Sequence, residues 1–127
     1  GVFDILHPWH VNYLEKAKKL GDILIIGVNT DSSVKQNKGD KRPINDEKSR
    51  INVLAALESV DHVFLFAEKD PRQWLGKIKP NVHVNGSEYG KDCIEAPTVK
   101  KYGGRIYIVD KIEGLSTSEI IKKIKDS

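Results

Sequence analysis

His7 and His10 stand three residues apart in Gly1-Val2-Phe3-Asp4-Ile5-Leu6-His7-Pro8-Trp9-His10, where an apolar extended run gives way to an amphipathic helix. At such a junction both imidazoles lie beside the N–H groups of the first helical turn, which have no intrahelical acceptor. The combination suits an anion. Phosphate oxygens there meet backbone donors, the positive end of the helix dipole and two side chains that can each donate a hydrogen bond. Taken alone, the commoner reading of an H-x-x-H pair is surface or internally bonded histidines. Metal ligation is a third reading, but no Cys or carboxylate set at a zinc-like spacing accompanies the pair.

Three further stretches carry groups that handle phosphate. Lys38-Gly39-Asp40-Lys41-Arg42-Pro43-Ile44-Asn45, followed by Arg50, places up to four cations on one loop. They can neutralise a triphosphate and a phosphorylated substrate, or simply be solvated. Ser116-Thr117-Ser118 precedes an Ile-rich run, with Glu119 three after Ser116 at the spacing of a capping box. A helix start with free hydroxyls and N–H groups is also a second phosphate cradle. Gly86-Ser87-Glu88-Tyr89 follows a short apolar run and reads as a turn or as a nucleoside border.

The elements that must position these groups alternate along the chain. Val11, Leu14, Ala17 and Leu20 recur at three-residue steps and give the first helix, which Gly21 ends. Residues 23–28 are continuously apolar, as in a strand buried on both faces. Residues 29–46 read as a long polar loop, within which Asp31-Ser32-Ser33-Val34 opens a short helix. A helix with Ile51, Leu54, Ala55 and Leu57 inward follows from Asp46. Then come a strand at 62–66, a helix from Asp70-Pro71 with Trp74, Leu75 and Ile78 inward, a strand at 82–84, a helix near 94–102, a strand at 105–109 and a last helix with Ile120, Ile121 and Ile124 inward.

This alternation predicts an α/β fold, a Rossmann-like parallel five-stranded sheet with helices on both faces. Its first strand is expected to be incomplete, because Gly1 to Asp4 reads as a strand end and its loop. Ligands in such sheets bind outside the carboxyl ends of the strands, where all four stretches fall. The 127 residues form one domain, 1–127, with 39% hydrophobic and 31% charged residues and a net charge of +3. So mild a charge fits a local phosphate pocket better than a nucleic-acid backbone, and no apolar run approaches a membrane span. A lone cysteine, Cys93, suggests a reducing compartment, and the absence of a visible signal peptide makes the cytoplasm the expectation.

The first ten residues resemble the G-x-F-D-x-x-H-x-G-H signature of the cytidylyltransferase-like nucleotidyltransferases, with Trp9 where that family has Gly. Lys38 to Asn45 resembles the K-G-x-x-R-P-I-N element of its sugar-phosphate branch. Ser116-Thr117-Ser118 is similar to its S-T-T element, and Gly86-Ser87-Glu88-Tyr89 to its G-G-D-Y stretch. With the Leu54-Ala55-Ala56-Leu57 helix ending in Val60-Asp61, and Phe66-x-Glu68-x-x-Pro71, the order is similar to that of the adenylyltransferase domain of ADP-heptose synthases. Glycerol-3-phosphate cytidylyltransferases are more distant.

The resemblance implies nucleotidyl transfer from a nucleoside triphosphate, ATP favoured, to a sugar phosphate such as heptose 1-phosphate, with pyrophosphate released. His7, His10, Lys38 and Arg42 would carry the chemistry. Val2, Phe3, Asp4, Gly86, Glu88, Tyr89, Ser116, Thr117 and Ser118 would bind the nucleotide, with Asp4 and Arg50 also ordering the loop. Mg2+ would arrive with the triphosphate, held by phosphate and water, with no metal ligand from the protein. A CTP-dependent cytidylyltransferase for glycerol 3-phosphate or a similar polyol phosphate or phosphonate, a degenerate nucleotide-binding protein and a flavodoxin-like module are the alternatives. The partners expected are small molecules, neither nucleic acid nor membrane, and a second copy of the chain. The homodimer follows from the resemblance and from Phe66 and Trp74, expected to stay partly uncovered. Residues 37–45 are expected to be mobile until nucleotide binds. Trp9 either packs on a neighbouring element or fills part of the nucleotide pocket, and the expectation is weaker triphosphate binding that Trp9→Gly restores.

Overall fold

The computed structural model describes residues 1–67, 72–86, 93–110 and 116–127. The elements among them run α1 (Pro8–Lys19), β1 (Ile25–Asn29), α2 (Asp31–Lys38), α3 (Glu47–Ala55), β2 (His62–Phe66), α4 (Arg72–Ile78), β3 (Val82–Gly86), α5 (Ala96–Lys101), β4 (Arg105–Val109) and α6 (Thr117–Lys125). The strands form two parallel pairs. Ile25 lies opposite His62 through to Asn29 opposite Phe66, and Val82 opposite Arg105 through to Gly86 opposite Val109.

The expected count of five strands is therefore corrected to four among the described residues. Gly1 alone lies along β1, its amine donating to Gly27 O at 2.8 Å and its carbonyl accepting from Asn29 N at 3.0 Å. Phe3, at φ 52°, then turns the chain away from the sheet.

The β1–β2 pair is covered on both faces, as its unbroken apolar pattern requires. Ile26 and Val28 point to the side where Leu14 of α1 and Leu54 of α3 complete a core, with Leu6, Tyr13 and Val63 packed around it. On the other face, Trp74 of α4 meets Phe64 edge-on at 5.0 Å and Phe66 at 5.5 Å. Gly27 sits beneath them, and a Cβ there would come within 3.0 Å of the indole and 3.1 Å of Phe64. Phe66 is buried by this packing, against expectation, while Trp74 is partly uncovered. The exposed apolar side chains lie elsewhere. Ile124, expected to face inward, is 64% exposed, and α6 buries none of its residues.

In the β3–β4 pair, α5 packs against β4, and Ala96, Val99 and Val109 are buried. Gly104 enters β4 so close to Pro80 that a Cβ would meet its carbonyl oxygen. Beside them Asn85 Nδ2 donates to Glu95 Oε1 at 2.8 Å and to Cys93 Sγ at 3.3 Å, while His83 Nε2 lies 3.3 Å from the same carboxylate oxygen. Two bonds from α1 join this pair to the rest, Tyr13 Oη to Val84 O at 2.7 Å and Trp9 Nε1 to Asp110 O at 3.1 Å.

Candidate functional site

Asp4 organises the loop before α1. Its carboxylate, 4% exposed, accepts from Arg42 Nε at 2.9 Å and from the backbone N–H groups of Ile44 and Asn45, both at 2.8 Å. Asn45 Nδ2 returns a bond to Asp4 O at 2.6 Å. Burial pushes the Asp4 carboxyl up, but the N–H groups of Asn45 and Ile44 and the Arg42 guanidinium outweigh it and hold the pKa below the ordinary carboxylate value. The long basic loop is thus not free of anchors. Its first part is helical to Lys38, begun by the Thr30 hydroxyl accepting from Ser33 N, and its last part is tied to Asp4. Ile44 is 55% exposed, so the anchor of this last part is polar.

Arg50 is not a ligand-facing cation. It is 2% exposed, with Nε on Asn45 O at 3.0 Å, one terminal nitrogen on Val2 O at 2.8 Å and the other on Asp31 Oδ1 at 2.8 Å. A single side chain thereby fixes the start of the chain, the end of the basic loop and the first turn of α2. The cavity enclosed here, between residues 3–6 and Ser49 and Val53 of α3, is about 150 Å3. That is below the roughly 300–1,000 Å3 of an ordinary ligand pocket.

The histidine pair is placed by the helix that it begins. His7 is the extended N-cap residue of α1, at φ −145° and ψ 174°, and Pro8 follows at the first helical position, where its missing N–H costs nothing. The two rings lie 4.0 Å apart. His7 N–H donates to His10 Nδ1 at 3.4 Å, which leaves the neutral His10 with its proton on Nε2. His7 is 7% exposed, and its Nδ1 is buried without a hydrogen-bond partner. Burial lowers the pKa of His7, and burial with the adjoining His7 lowers that of His10 to about 4. Both rings are neutral at pH 7 and each offers one N–H.

The start of α6 is drawn to the same loop. Thr117 Oγ1 donates to Ile5 O at 3.1 Å, while Ser116 Oγ accepts from Glu119 N at 3.1 Å, the serine half of the expected capping box. Ser118 is exposed beside them. Thr117 thus meets the loop at Ile5, two residues before His7, and Arg42 meets it at Asp4, three residues before His7. Val2 offers its carbonyl to Arg50, and the Phe3 ring lies 5.5 Å from that of His10. Lys38 stands exposed at the end of α2, and Gly86 is buried at the end of β3. Glu88 and Tyr89 lie outside the described residues, as do Glu68 and Pro71. Among the described residues no three of His, Cys, Asp and Glu group as a metal site would require, and no helix is long and apolar enough to cross a membrane.

Sequence reasoning missed Tyr13. Its ring lies 5.2 Å from Trp9, and the four-residue spacing that puts the two on one helix face was available.

Residues 1–123 match the sequence profile described as cytidylyltransferase-like. The bifunctional protein HldE of Actinobacillus pleuropneumoniae serotype 5b is 51% identical over 128 residues, which take in 100% of this chain and 27% of that protein. HldE of Geobacter metallireducens is 45% identical over 98% of the chain and 26% of its own length. The chain thus spans about a quarter of these curated relatives. Among solved structures, the lipopolysaccharide core biosynthesis protein from Thermoplasma volcanium is similar at a TM-score of 0.69, with 37% identity over 88% of this chain and 91% of that one.

Proposed function

The chain belongs to the cytidylyltransferase-like family of nucleotidyltransferases, and from that premise we propose that it joins a nucleoside triphosphate, ATP in preference to CTP, to a sugar phosphate such as heptose 1-phosphate. A phosphate oxygen of the sugar phosphate attacks the α-phosphorus, the bond between the α-phosphorus and its bridging oxygen breaks, and pyrophosphate leaves. The observation that carries this reading is the pair of imidazoles 4.0 Å apart in the first turn of α1, with the start of α6 tied to the same loop. The Arg-Pro-Ile-Asn run and the HldE relatives support the sugar-phosphate branch.

The reaction asks for alignment and for stabilisation of charge that grows on the phosphoryl oxygens. His7 and His10 donate to the phosphates from a fixed geometry, and the first turn of α1 adds backbone donors. Thr117 and Ser118 cradle the β and γ groups. Arg42 spends Nε on Asp4, which aims the rest of its guanidinium, and Lys38 covers the phosphates from the end of α2. Magnesium enters as part of the substrate, carried by the triphosphate. The protein acts as a homodimer in the cytoplasm, on small molecules rather than on nucleic acid or membrane.

Pyrophosphate release measured with ATP, CTP, GTP and UTP against heptose 1-phosphate and glycerol 3-phosphate tests the reading. ATP with heptose 1-phosphate should be fastest. Faster release from CTP with glycerol 3-phosphate would assign the cytidylyltransferase reading instead, and binding without release would identify a degenerate nucleotide-binding protein.

A further inference from the structure

The indole of Trp9 is held from two sides. Its ring lies 5.2 Å from that of Tyr13 at an interplanar angle of 34°, and its Nε1 donates to Asp110 O, the residue just past β4, at 3.1 Å. Tyr13 is itself fixed to β3 by its hydroxyl on Val84 O. The half-buried indole therefore lies across the space between the first turn of α1 and the carboxyl ends of β3 and β4, 5.6 Å from the His10 ring and 6.3 Å from that of His7. Ligands of parallel sheets enter outside those strand ends. A nucleoside reaching toward them from phosphates on the histidine pair needs the same space.

We infer that Trp9 is a specificity-determining residue that occupies nucleoside space, so that the triphosphate carries most of a nucleotide's affinity and the nucleoside must displace the indole from Asp110. The inference rests on the phosphate-binding reading of the histidine pair. Two observations separate the indole from the phosphate side. Its one polar atom is bonded to Asp110, away from the pair, and its ring makes no hydrogen bond to either imidazole, 6.3 Å and 5.6 Å away.

Calorimetric titration of the parent and of Trp9→Gly with magnesium ATP, magnesium CTP and inorganic tripolyphosphate tests it. The parent should bind tripolyphosphate and ATP within about threefold of each other, and the variant should bind ATP or CTP about tenfold tighter with tripolyphosphate unchanged. No gain for either nucleotide overturns the inference and leaves the phosphate reading standing. No binding of tripolyphosphate by either protein overturns the phosphate reading and the inference with it. Where Gly weakens the first turn of α1, Trp74→Phe leaves Trp9 as the sole tryptophan of a chain that has two. A red shift of its emission with ATP but not with tripolyphosphate supports displacement, and equal responses to the two ligands overturn it.

Discussion

Asp4 and His7 lie three residues apart on one loop and are about equally buried, 4% and 7% exposed, yet their polar atoms are treated differently. Both oxygens of Asp4 accept bonds, and the Arg50 guanidinium beside it is consumed on Val2, Asn45 and Asp31. His7 ties down no distant segment: its side chain faces the His10 backbone N–H in the first turn of α1. Buried polar groups that bond to distant segments fix the backbone between them. The loop is thus divided into a half that holds other segments in place and a half that sets two imidazoles at a helix start.

The sharpest way to break that division is from the holding side. Arg50→Ala removes the donor shared by three segments and leaves the Val2 and Asn45 carbonyls open, so stability should fall by roughly 1–3 kcal/mol. A urea midpoint equal to that of the parent would place Arg50 outside the scaffold.

On the histidine side the loss should fall on activity. His7→Ala and His10→Ala each remove a pre-placed donor, and pyrophosphate release should drop by about 10²–10³, far more than the roughly 0.5–2 kcal/mol of stability that loss of the cap at the start of α1 costs. Near-normal turnover with either variant would end the assignment.

A smaller effect is the pH dependence of the unliganded protein. Both imidazoles have folded pKa values below the ordinary 6.5, His10 at about 4, so between those values the unfolded chain binds more protons than the folded one. Stability then rises with pH across the window and is lost as pH falls from about 6.5 toward 4. His83, also lowered by burial, adds in the same direction. Melting curves of His10→Asn should show a flatter decline over this range than those of the parent, and parallel curves would contradict it.

The holding half was nearly illegible in the sequence, and the histidine half was not. Two histidines ahead of Val11, Leu14 and Ala17 announce a helix start with donors on it, because spacing alone sets that geometry. Arg50 reads as one more loop cation until the fold buries it, and nothing local says that Asp4 reaches Ile44 and Asn45 about forty residues on. The α/β alternation was plain in apolar runs such as Ile26 and Val28. The helix over Asp31–Lys38 was harder to see beyond its opening, since only Val34 gives its eight residues an apolar anchor and the rest depends on the Thr30 cap. The stripe Ile120, Ile121 and Ile124 has helical period, but period cannot say whether a neighbour covers it.

The central claim is that phosphate binds at the histidine pair. Its most direct test is calorimetric titration of tripolyphosphate at pH 7 in two buffers of different ionisation enthalpy, for the parent and for the His7→Ala/His10→Ala double variant. Phosphate beside imidazoles whose pKa values lie below 7 raises those values and draws protons on. The account predicts greater proton uptake by the parent, together with tighter binding. Equal affinity and equal uptake in the two proteins would contradict it.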